Sequence, residues 1–321
     1  MVSESTVIIR SSGERTLALC RHLIETQVPE ENIIVITESP FSRAVKCTFE
    51  LGMERDLPWT LAIDADVLVA DGGIAQLLEI AGKVGDDIFE VQGEILDKLF
   101  GGPKPGGPHL FRTSFLNKAI TLMPIEGVSM RPEAFVMKQM ASQGYPWKQA
   151  DVVLGLHDYE QYFCDIYRKA FVHTRKHGHL VPYFEDLWRR LAEKDADFHV
   201  ALWGLRAGRI YNGDIELDVS CFSQEIQTLL QLRSLKEKGD LPSTVLSPSE
   251  INHLIDTFTT TKEYWSYRRI VNTSNSAAQN AGLNTRLNEV LKRTGRLRIL
   301  PWLIGWGFGR IGRVLQTWAE R

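Results

Sequence analysis

The sequence lacks the features that mark secreted, membrane-spanning or nucleic-acid-binding proteins. Its four cysteines (Cys20, Cys47, Cys164 and Cys221) show no C-x-x-C spacing, which predicts buried, reduced thiols in a cytoplasmic protein rather than disulfides or a zinc site. Residues 1–5 carry no apolar leader segment, and no unbroken apolar run reaches the roughly 18 residues of a membrane span. The net charge of −3 argues against general nucleic-acid binding.

The 321 residues, 44% of them apolar and 24% charged, have the composition of a globular protein. Apolar segments at 6–10, 32–37 and 59–69 predict strands, and helical periodicity at 14–27 and 40–51 predicts helices between them. This β-α-β-α-β order predicts an α/β fold with a mostly parallel sheet flanked by helices. Ligands of such sheets bind at the carboxyl ends of the strands.

Two carboxylates, Asp64 and Asp66, interrupt the third predicted strand. Their burial at a strand end is costly unless a positive group meets them. In an extended strand they would lie about 7 Å apart, and closer if the chain turns there. Mg²⁺ or Mn²⁺ is a fitting partner, because these cations take oxygen ligands and share them with phosphates. The alternative is that both aspartates are solvated. If each aspartate were instead paired with a cationic side chain of the protein, no metal would be needed.

The order of these segments and the Asp-x-Asp strand resemble the nucleotide-binding half of GT-A-fold glycosyltransferases, in the style of family 2. The resemblance covers residues 5–75 and, more loosely, 105–180. It implies a Rossmann-like fold and a metal-dependent transfer of a sugar to an acceptor hydroxyl. The donor would be a nucleotide-sugar, the cofactor Mn²⁺ or Mg²⁺, and the acceptor a glycan, a polysaccharide or a lipid-linked sugar.

The resemblance also implies roles for individual side chains. Asp66 would be the more direct metal ligand, with Asp64 supporting it or contacting the ribose or sugar. Glu38 stands where the family often has an aspartate that binds base or ribose, and the resemblance gives it that role here. Arg43 would face the nucleotide phosphates or would be a surface helix charge. The end of the first strand, lying by the nucleotide, comprises Arg10, Ser11 and Ser12.

A third metal ligand is expected downstream, and His157 is the candidate. It follows the apolar residues 152–154 and a predicted turn at Gly155, and the periodicity predicts a long helix from His157 onward. Asp158 and Glu160 are candidate catalytic carboxylates, either of which could orient the imidazole or ligate the metal itself. The alternative is that Asp158 merely caps the helix.

Residues 101–108 are so rich in glycine and proline that they predict an irregular loop, a mobile lid beside the site. Residues 109–113 then read as a strand. Its polar residues, His109 and Arg112, are candidates for contacting the donor phosphate or the acceptor. A surface linker with a basic strand end explains the same residues.

The run 173–179, HTRKHGH, has two histidines four residues apart, as in a helical metal pair. Arg175 and Lys176 between them disfavour a cation site. We expect a solvated, basic helix end, which could also neutralise a diphosphate or an anionic acceptor.

The sequence divides into a predicted catalytic domain (1–215), a helical extension (216–291) and a basic, tryptophan-rich tail (292–321). Tryptophans beside arginines suit the surface of an anionic bilayer, so the tail predicts peripheral contact with the inner membrane face. The alternative is that the tail packs on its own domain or on a second subunit of a homo-oligomer.

Two other functions fit parts of the pattern. A sugar nucleotidyltransferase has a similar sheet, but it usually carries a glycine-rich, basic loop after the first strand, and SSGERT has one glycine and one arginine. A non-catalytic scaffold of the same fold could use the basic tail for docking. The sequence favours the glycosyltransferase.

Overall fold

The structure is a computed structural model that describes residues 2–126, 129, 131–213 and 223–259. Contacts divide the chain into two units, Met1–Trp265 and Ser266–Arg321, and every described residue belongs to the first. The basic tail (292–321) and about half of the predicted extension lie outside the described residues. The predicted domain boundaries stay predictions.

Strands and helices alternate, singly or in pairs, as far as His157, and the elements described after it are helices. The strands are β1 (Ser5–Arg10), β2 (Ile33–Ile36), β3 (Trp59–Asp64), β4 (Val67–Val69), β5 (Glu90–Asp97), β6 (Gly102–Arg112) and β7 (Trp147–His157). The helices are α1 (Leu17–Glu25), α2 (Phe41–Arg55), α3 (Gly73–Ala81), α4 (Leu116–Thr121), α5 (Pro132–Ser142), α6 (Phe163–Lys176), α7 (Val181–Leu191), α8 (Ala196–Ile210), α9 (Ser223–Leu232) and α10 (Pro248–Thr259).

These strands form one sheet in the order β2-β1-β3-β6-β5-β7-β4. The β1–β2, β1–β3 and β5–β7 pairings are parallel, whereas β3–β6, β5–β6 and β4–β7 are antiparallel. The predicted α/β fold class is confirmed, and the parallel β1–β3 region matches the prediction. The second half of the sheet is more mixed than predicted, because β6 and β4 run against their neighbours.

Strand β1 shows how helices cover both faces of the sheet. Because successive side chains of a strand point to opposite faces, Val7 and Ile9 pack in the cluster that contains Leu23 of α1. Ile8 points the other way and packs with Ala44 of α2. All these side chains are buried, and each large one contributes about 1.5–3 kcal/mol through its burial.

The glycine- and proline-rich segment is a strand, so the predicted irregular loop over 101–108 is wrong. Residues 102–105 pair with 94–97 of β5, across a register shift between Gln92 and Glu94. Only residues 109–112 of β6 pair with β3, so the proline-rich part has no β3 partner. Proline is tolerated there because its missing N–H is needed by no ladder on that side.

The boundaries around His157 also differ from the prediction. Gly155 lies inside β7 rather than at a turn, because β4 approaches so closely that a Cβ would overlap the carbonyl oxygen of Leu68. His157 ends β7, and the helix begins only at Phe163. Likewise α2 continues past Gly52, which is needed for packing against Thr60.

Other predictions have mixed outcomes. Helices α9 and α10 both fall within the sequence range 216–291 that was predicted to be helical. Cys20 is buried as predicted, whereas Cys47 and Cys164 are only partly buried and Cys221 lies outside the described residues. Within the described ranges, no helix is both long enough and apolar enough to span a bilayer.

Candidate active site

The two aspartates of the Asp-x-Asp sequence belong to different strands. β3 ends at Asp64, the chain turns, and β4 begins at Val67. The turn is fixed because Ala65 donates its N–H to the Arg10 carbonyl and Asp158 donates its N–H to the Asp66 carbonyl. This change of direction sends the two carboxylates to separate groups of charged residues.

Asp64 belongs to a group around Arg10, which is its register partner on β1. The Arg10 guanidinium donates from Nε to Asp64 Oδ1 at 2.8 Å and also binds Glu133 on α5. His109 contacts Glu133 at 3.3 Å and Glu90 at 2.7 Å. Burial alone would lower the pKa of His109, but Glu133 and Glu90 raise it to about 9. We call this group the Arg10 cluster, and its members are Arg10, Asp64, Glu90, His109 and Glu133.

Asp66 belongs to a second group, which the register of three strands assembles. His157 lies opposite Val67 of β4 and opposite Asp97 of β5. Asp66 precedes Val67, and Asp158 follows His157. Four polar residues therefore meet at one end of these three strands: Asp66, Asp97, His157 and Asp158. Asp66, His157 and Asp158 each offer a ligand atom within 4.8 Å of the others. We call these three residues the metal trio.

The orientation of His157 is that of a metal ligand. Its Nδ1 donates to Asp97 Oδ2 at 2.8 Å, and its Nε2 faces Asp66 Oδ2 at 3.5 Å. Asp97 is fully buried. A carboxylate on the far nitrogen of a histidine fixes the ring and leaves the near nitrogen for a metal. Burial would lower the pKa of His157, but Asp158 and Asp66 raise it to about 10, so a bound cation has to replace a proton.

Two lysines already neutralise part of this group. Lys169 of α6 contacts both Asp66 and Asp158, and Lys104 of β6 contacts Asp97. The sequence therefore predicted the need for positive charge correctly, but side chains of the protein supply some of it. The enlarged group, which we call the Asp66 cluster, comprises Asp66, Asp97, Lys104, His157, Asp158 and Lys169.

These ion pairs leave ligand atoms open. Asp66 Oδ1 and Asp158 Oδ2 are buried, and neither has a hydrogen-bond partner in the described part of the chain. His157 Nδ1 is 3.2 Å from Asp158 Oδ2, but its hydrogen goes to Asp97. Three carboxylates face two ammonium groups and a protonated His157, so the group is neutral until a cation displaces that proton, and it then offers one net negative charge. The residues therefore fit a divalent cation.

The backbone next to the metal trio is held in an unusual conformation. Asp158 has φ 61° and Glu160 has φ 59°, both in the left-handed region that few residues other than glycine adopt. Such strain persists where surrounding contacts enforce it, often at functional sites. The Asp158 carboxylate turns inward, whereas Glu160 binds Arg15 at 2.9 Å and is about a third exposed.

The turn after β1 is held by hydrogen bonds to the carboxylate of Glu14, which follows it in the sequence. Ser11 Oγ and Ser12 N–H both donate to the Glu14 carboxylate at 2.7 Å. Ser12 and Gly13 line a cavity of about 270 Å³, together with the start of α6. This cavity, on the predicted nucleotide side, does not include the metal trio.

Other predicted binding residues lie in different places. Glu38 and Arg43 form an exposed ion pair of 2.7 Å between the end of β2 and α2. His109 is buried within the Arg10 cluster. Arg112 lies opposite Trp59, at the start rather than the end of β3, and donates to the Ile88 and Gly85 carbonyls. The structure therefore places Arg112 away from both aspartates.

Sequence reasoning did not single out Asp97, Lys104 or Lys169. Asp97 ends an apolar strand just as Asp64 does, and this was a usable signal. Lys169 gave none, because its role depends on how α6 packs against the ends of β4 and β7. His157 lies at the end of β7 and not on the predicted helix, since α6 starts at Phe163.

No protein-family model matches the chain, and no curated protein matches it. Solved structures do resemble it in part. One is a mannosyltransferase from Pyrobaculum calidifontis in complex with GDP-Man and Mn²⁺, with 12% identity, a TM-score of 0.36, and coverage of 71% of this chain and 80% of that one.

A glycosyltransferase involved in glycosylation of the major capsid of PBCV-1 shows 13% identity and a TM-score of 0.33, covering 46% of this chain and 82% of that one. A cytidylyltransferase from Leptospira borgpetersenii shows 9% identity and a TM-score of 0.36, covering 61% and 97%. These likenesses are partial, so the function has to be inferred from the residues of the site.

Proposed function

We propose that the chain is a metal-dependent glycosyltransferase, with a divalent cation held by Asp66, His157 and Asp158. One observation carries the proposal: Asp66, His157 and Asp158 bring ligand atoms within 4.8 Å of one another, and one buried oxygen of each carboxylate has no hydrogen-bond partner among the described residues. Carboxylates suit Mg²⁺ and Mn²⁺ alike, but an imidazole ligand favours Mn²⁺, since Mg²⁺ prefers oxygen.

The chain's own residues would prepare the site. Asp97 keeps His157 in the tautomer whose Nε2 can bind a cation. Lys169 holds Asp66 and Asp158 close together and can move away on its flexible stem. A bound cation would supply Lewis-acid stabilisation of the nucleoside diphosphate as it leaves. The acceptor hydroxyl, from a glycan or lipid-linked sugar, would attack the anomeric carbon of the donor.

The nucleotide would bind along the ends of β1 and β2. Asp64 is about a third exposed, so its free edge can reach a ribose or sugar while Arg10 holds the other side. Ser12 and Gly13 border the cavity there. A phosphate that took the N–H of Ser12 would have to replace the Glu14 carboxylate, which now accepts it.

The test is calorimetric titration of nucleoside diphosphates with and without Mn²⁺, on the wild type and three aspartate variants. We expect Mn²⁺-dependent binding in the wild type and its loss in Asp66→Asn. Asp256→Asn on α10, an exposed aspartate, is the matched control and should bind as the wild type does. Asp64→Asn should keep Mn²⁺ binding, because Asp64 lies in the Arg10 cluster.

Turnover is measured separately, as slow hydrolysis of a panel of nucleotide-sugars. Hydrolysis of one donor that stops in Asp66→Asn supports a glycosyltransferase. Nucleotide binding that is equally strong in EDTA, or unchanged in Asp66→Asn, would overturn the metal site. Mn²⁺-dependent binding with no turnover of any donor would favour the scaffold.

A further inference from the structure

The cavity of about 270 Å³ beside the turn after β1 is built by segments that lie far apart in the sequence. It is lined by Ser12 and Gly13 from that turn, by Asp165 from the first turn of α6, by Ile226 from α9 and by Glu237 from the segment after α9. Sites for small molecules combine apolar walls with a few polar groups, as this cavity does. The turn follows the carboxyl end of β1, where ligands of α/β sheets bind.

Most polar groups that line this cavity are already bonded within the protein. The Glu237 carboxylate accepts the N–H groups of the first two residues of α6, at 2.7 and 3.1 Å. The Ser12 hydroxyl donates to Glu14 at 2.8 Å, and the Tyr162 hydroxyl donates to Asp240 at 2.8 Å. These groups form the walls of the cavity, and none of them requires a ligand as a partner.

Asp165 differs from these groups. Its side chain is only 8% exposed, yet among the described residues no donor forms a hydrogen bond to its carboxylate. Oδ1 lies 3.7 Å from Arg168 Nη2, which is too far for a hydrogen bond. Burial raises the pKa of Asp165, and the charges of Arg168 and Lys169 only partly offset the rise. A helix N-terminus favours an acid in its first turn, but it leaves these oxygens without donors.

The cavity and the metal trio are neighbours along α6. Asp165 and Lys169 are four residues apart, so they lie on one face of the helix, roughly 6 Å apart along its axis. Lys169 contacts Asp66 and Asp158. A nucleotide whose diphosphate lies at the metal trio can therefore direct its base towards Asp165, with the ribose between them.

Charge and hydrogen bonding decide which group fits the cavity. Asp165 and Glu237 are both carboxylates, so they repel a phosphate and favour a neutral group with N–H donors. Guanine presents two adjacent donors, N1–H and the 2-amino group, which match the two oxygens of one carboxylate. In adenine and cytosine the amino group lies beside an acceptor nitrogen, and in uracil the N–H lies between two carbonyl oxygens. These acceptors would face the carboxylate and repel it.

We infer that this cavity binds the base of the donor nucleotide and that Asp165 selects guanine. The inference rests on the proposed glycosyltransferase function and adds that the donor is a sugar linked to guanosine diphosphate. Asp165 would accept both N–H groups of the base and would thereby gain the hydrogen bonds that the protein does not give it.

The test compares three nucleotides by calorimetric titration in Mn²⁺: GDP, UDP and inosine diphosphate, which is GDP without the 2-amino group. We expect the wild type to bind GDP about tenfold or more tightly than either of the others. Asp165→Asn should remove the difference between GDP and inosine diphosphate, because an amide offers one acceptor in place of two. Asp256→Asn, the same change at an exposed position of α10, should keep the difference.

A metal-free measurement separates this inference from the proposed function. Guanosine in EDTA, followed by saturation-transfer NMR, should bind to the wild type and to Asp66→Asn but not to Asp165→Asn. The Mn²⁺ affinity of Asp165→Asn should equal that of the wild type. A wild type that binds inosine diphosphate as tightly as GDP would overturn the inference, and so would a preference for GDP that survives in Asp165→Asn. Thermal unfolding shows whether each variant is folded, and the comparison of the two nucleotides on the wild type needs no variant.

Discussion

Asp64 and Asp66 are separated by one residue, yet they belong to charged groups of different kinds. In the Arg10 cluster a guanidinium joins Asp64 to Glu133, and Asp64 keeps a third of its side chain in solvent. In the Asp66 cluster an ammonium joins Asp66 to Asp158, and each buried carboxylate has one oxygen without a hydrogen-bond partner in the part of the chain that the structure describes. The turn at Ala65 causes this separation.

The type of cation explains the difference. Arginine presents a rigid, permanently charged fork that holds two carboxylates in fixed positions, so the Arg10 cluster suits a structural role. Lysine carries a point charge on a flexible stem, which another cation can displace. We therefore regard the Arg10 cluster as the fixed support of the site, and the Asp66 cluster as its exchangeable part.

The largest expected effect on stability comes from removing Arg10, the cation of the Arg10 cluster. Arg10→Met leaves Asp64 and Glu133 without their common partner, which should lower the free energy of unfolding by about 3–5 kcal/mol. Urea denaturation measures the loss. Lys169→Met removes the corresponding cation of the Asp66 cluster and should cost clearly less when Mn²⁺ is present. Equal losses for the two variants would refute the distinction between the clusters.

The pH dependence of stability sharpens the comparison, because His109 ionises within the Arg10 cluster. Its pKa in the folded chain is raised to about 9, above the ordinary value of 6.5. Its contribution is therefore fully present below pH 6.5 and is lost as the pH rises through 9, at most about 3 kcal/mol in all. Chemical denaturation of wild type and His109→Gln at pH 6 and 9.5 measures it. The difference between the two proteins should shrink at high pH, and a constant difference would contradict the prediction.

In the Asp66 cluster, Asp97 accepts the hydrogen bond of His157 Nδ1 and should therefore affect the metal affinity. Asp97→Asn keeps the shape but weakens the orientation of the imidazole, so Mn²⁺ affinity should fall about 10- to 100-fold. Electron paramagnetic resonance of free Mn²⁺ gives the dissociation constant. Asp256→Asn should leave it unchanged. If Asp97→Asn also left it unchanged, His157 would not be the ligand that its geometry indicates.

Local sequence patterns were sufficient for part of this site. An apolar strand that ends in acids identified Asp66, and an apolar lead-in identified His157, because strand ends at one sheet edge are neighbours. The same logic could have found Asp97 at the end of β5. Lys104 and Lys169 could not be found, because they reach the cluster from elements whose packing no local pattern specifies.

The fold shows the same division between local and long-range information. The order of β1, α1, β2, α2 and β3 follows from periodicity. The strand at Gly102–Arg112 does not, because its glycines and prolines indicate a loop unless one knows that β5 pairs with it and β3 leaves it largely free. The turn between Asp64 and Val67 likewise depends on the pairing of β4 with β7.

The smallest expected effect concerns the exposed pair of Glu38 and Arg43, which lies outside both clusters. Surface ion pairs contribute little, so Arg43→Ala should change the free energy of unfolding by less than about 1 kcal/mol. Its effect on Mn²⁺-dependent nucleotide binding is the informative measurement. Weaker binding, with unchanged Mn²⁺ affinity, would place Arg43 beside the nucleotide phosphates. Unchanged binding would leave Arg43 as a surface charge of α2 and would confine the donor contacts to the ends of β1 and β3.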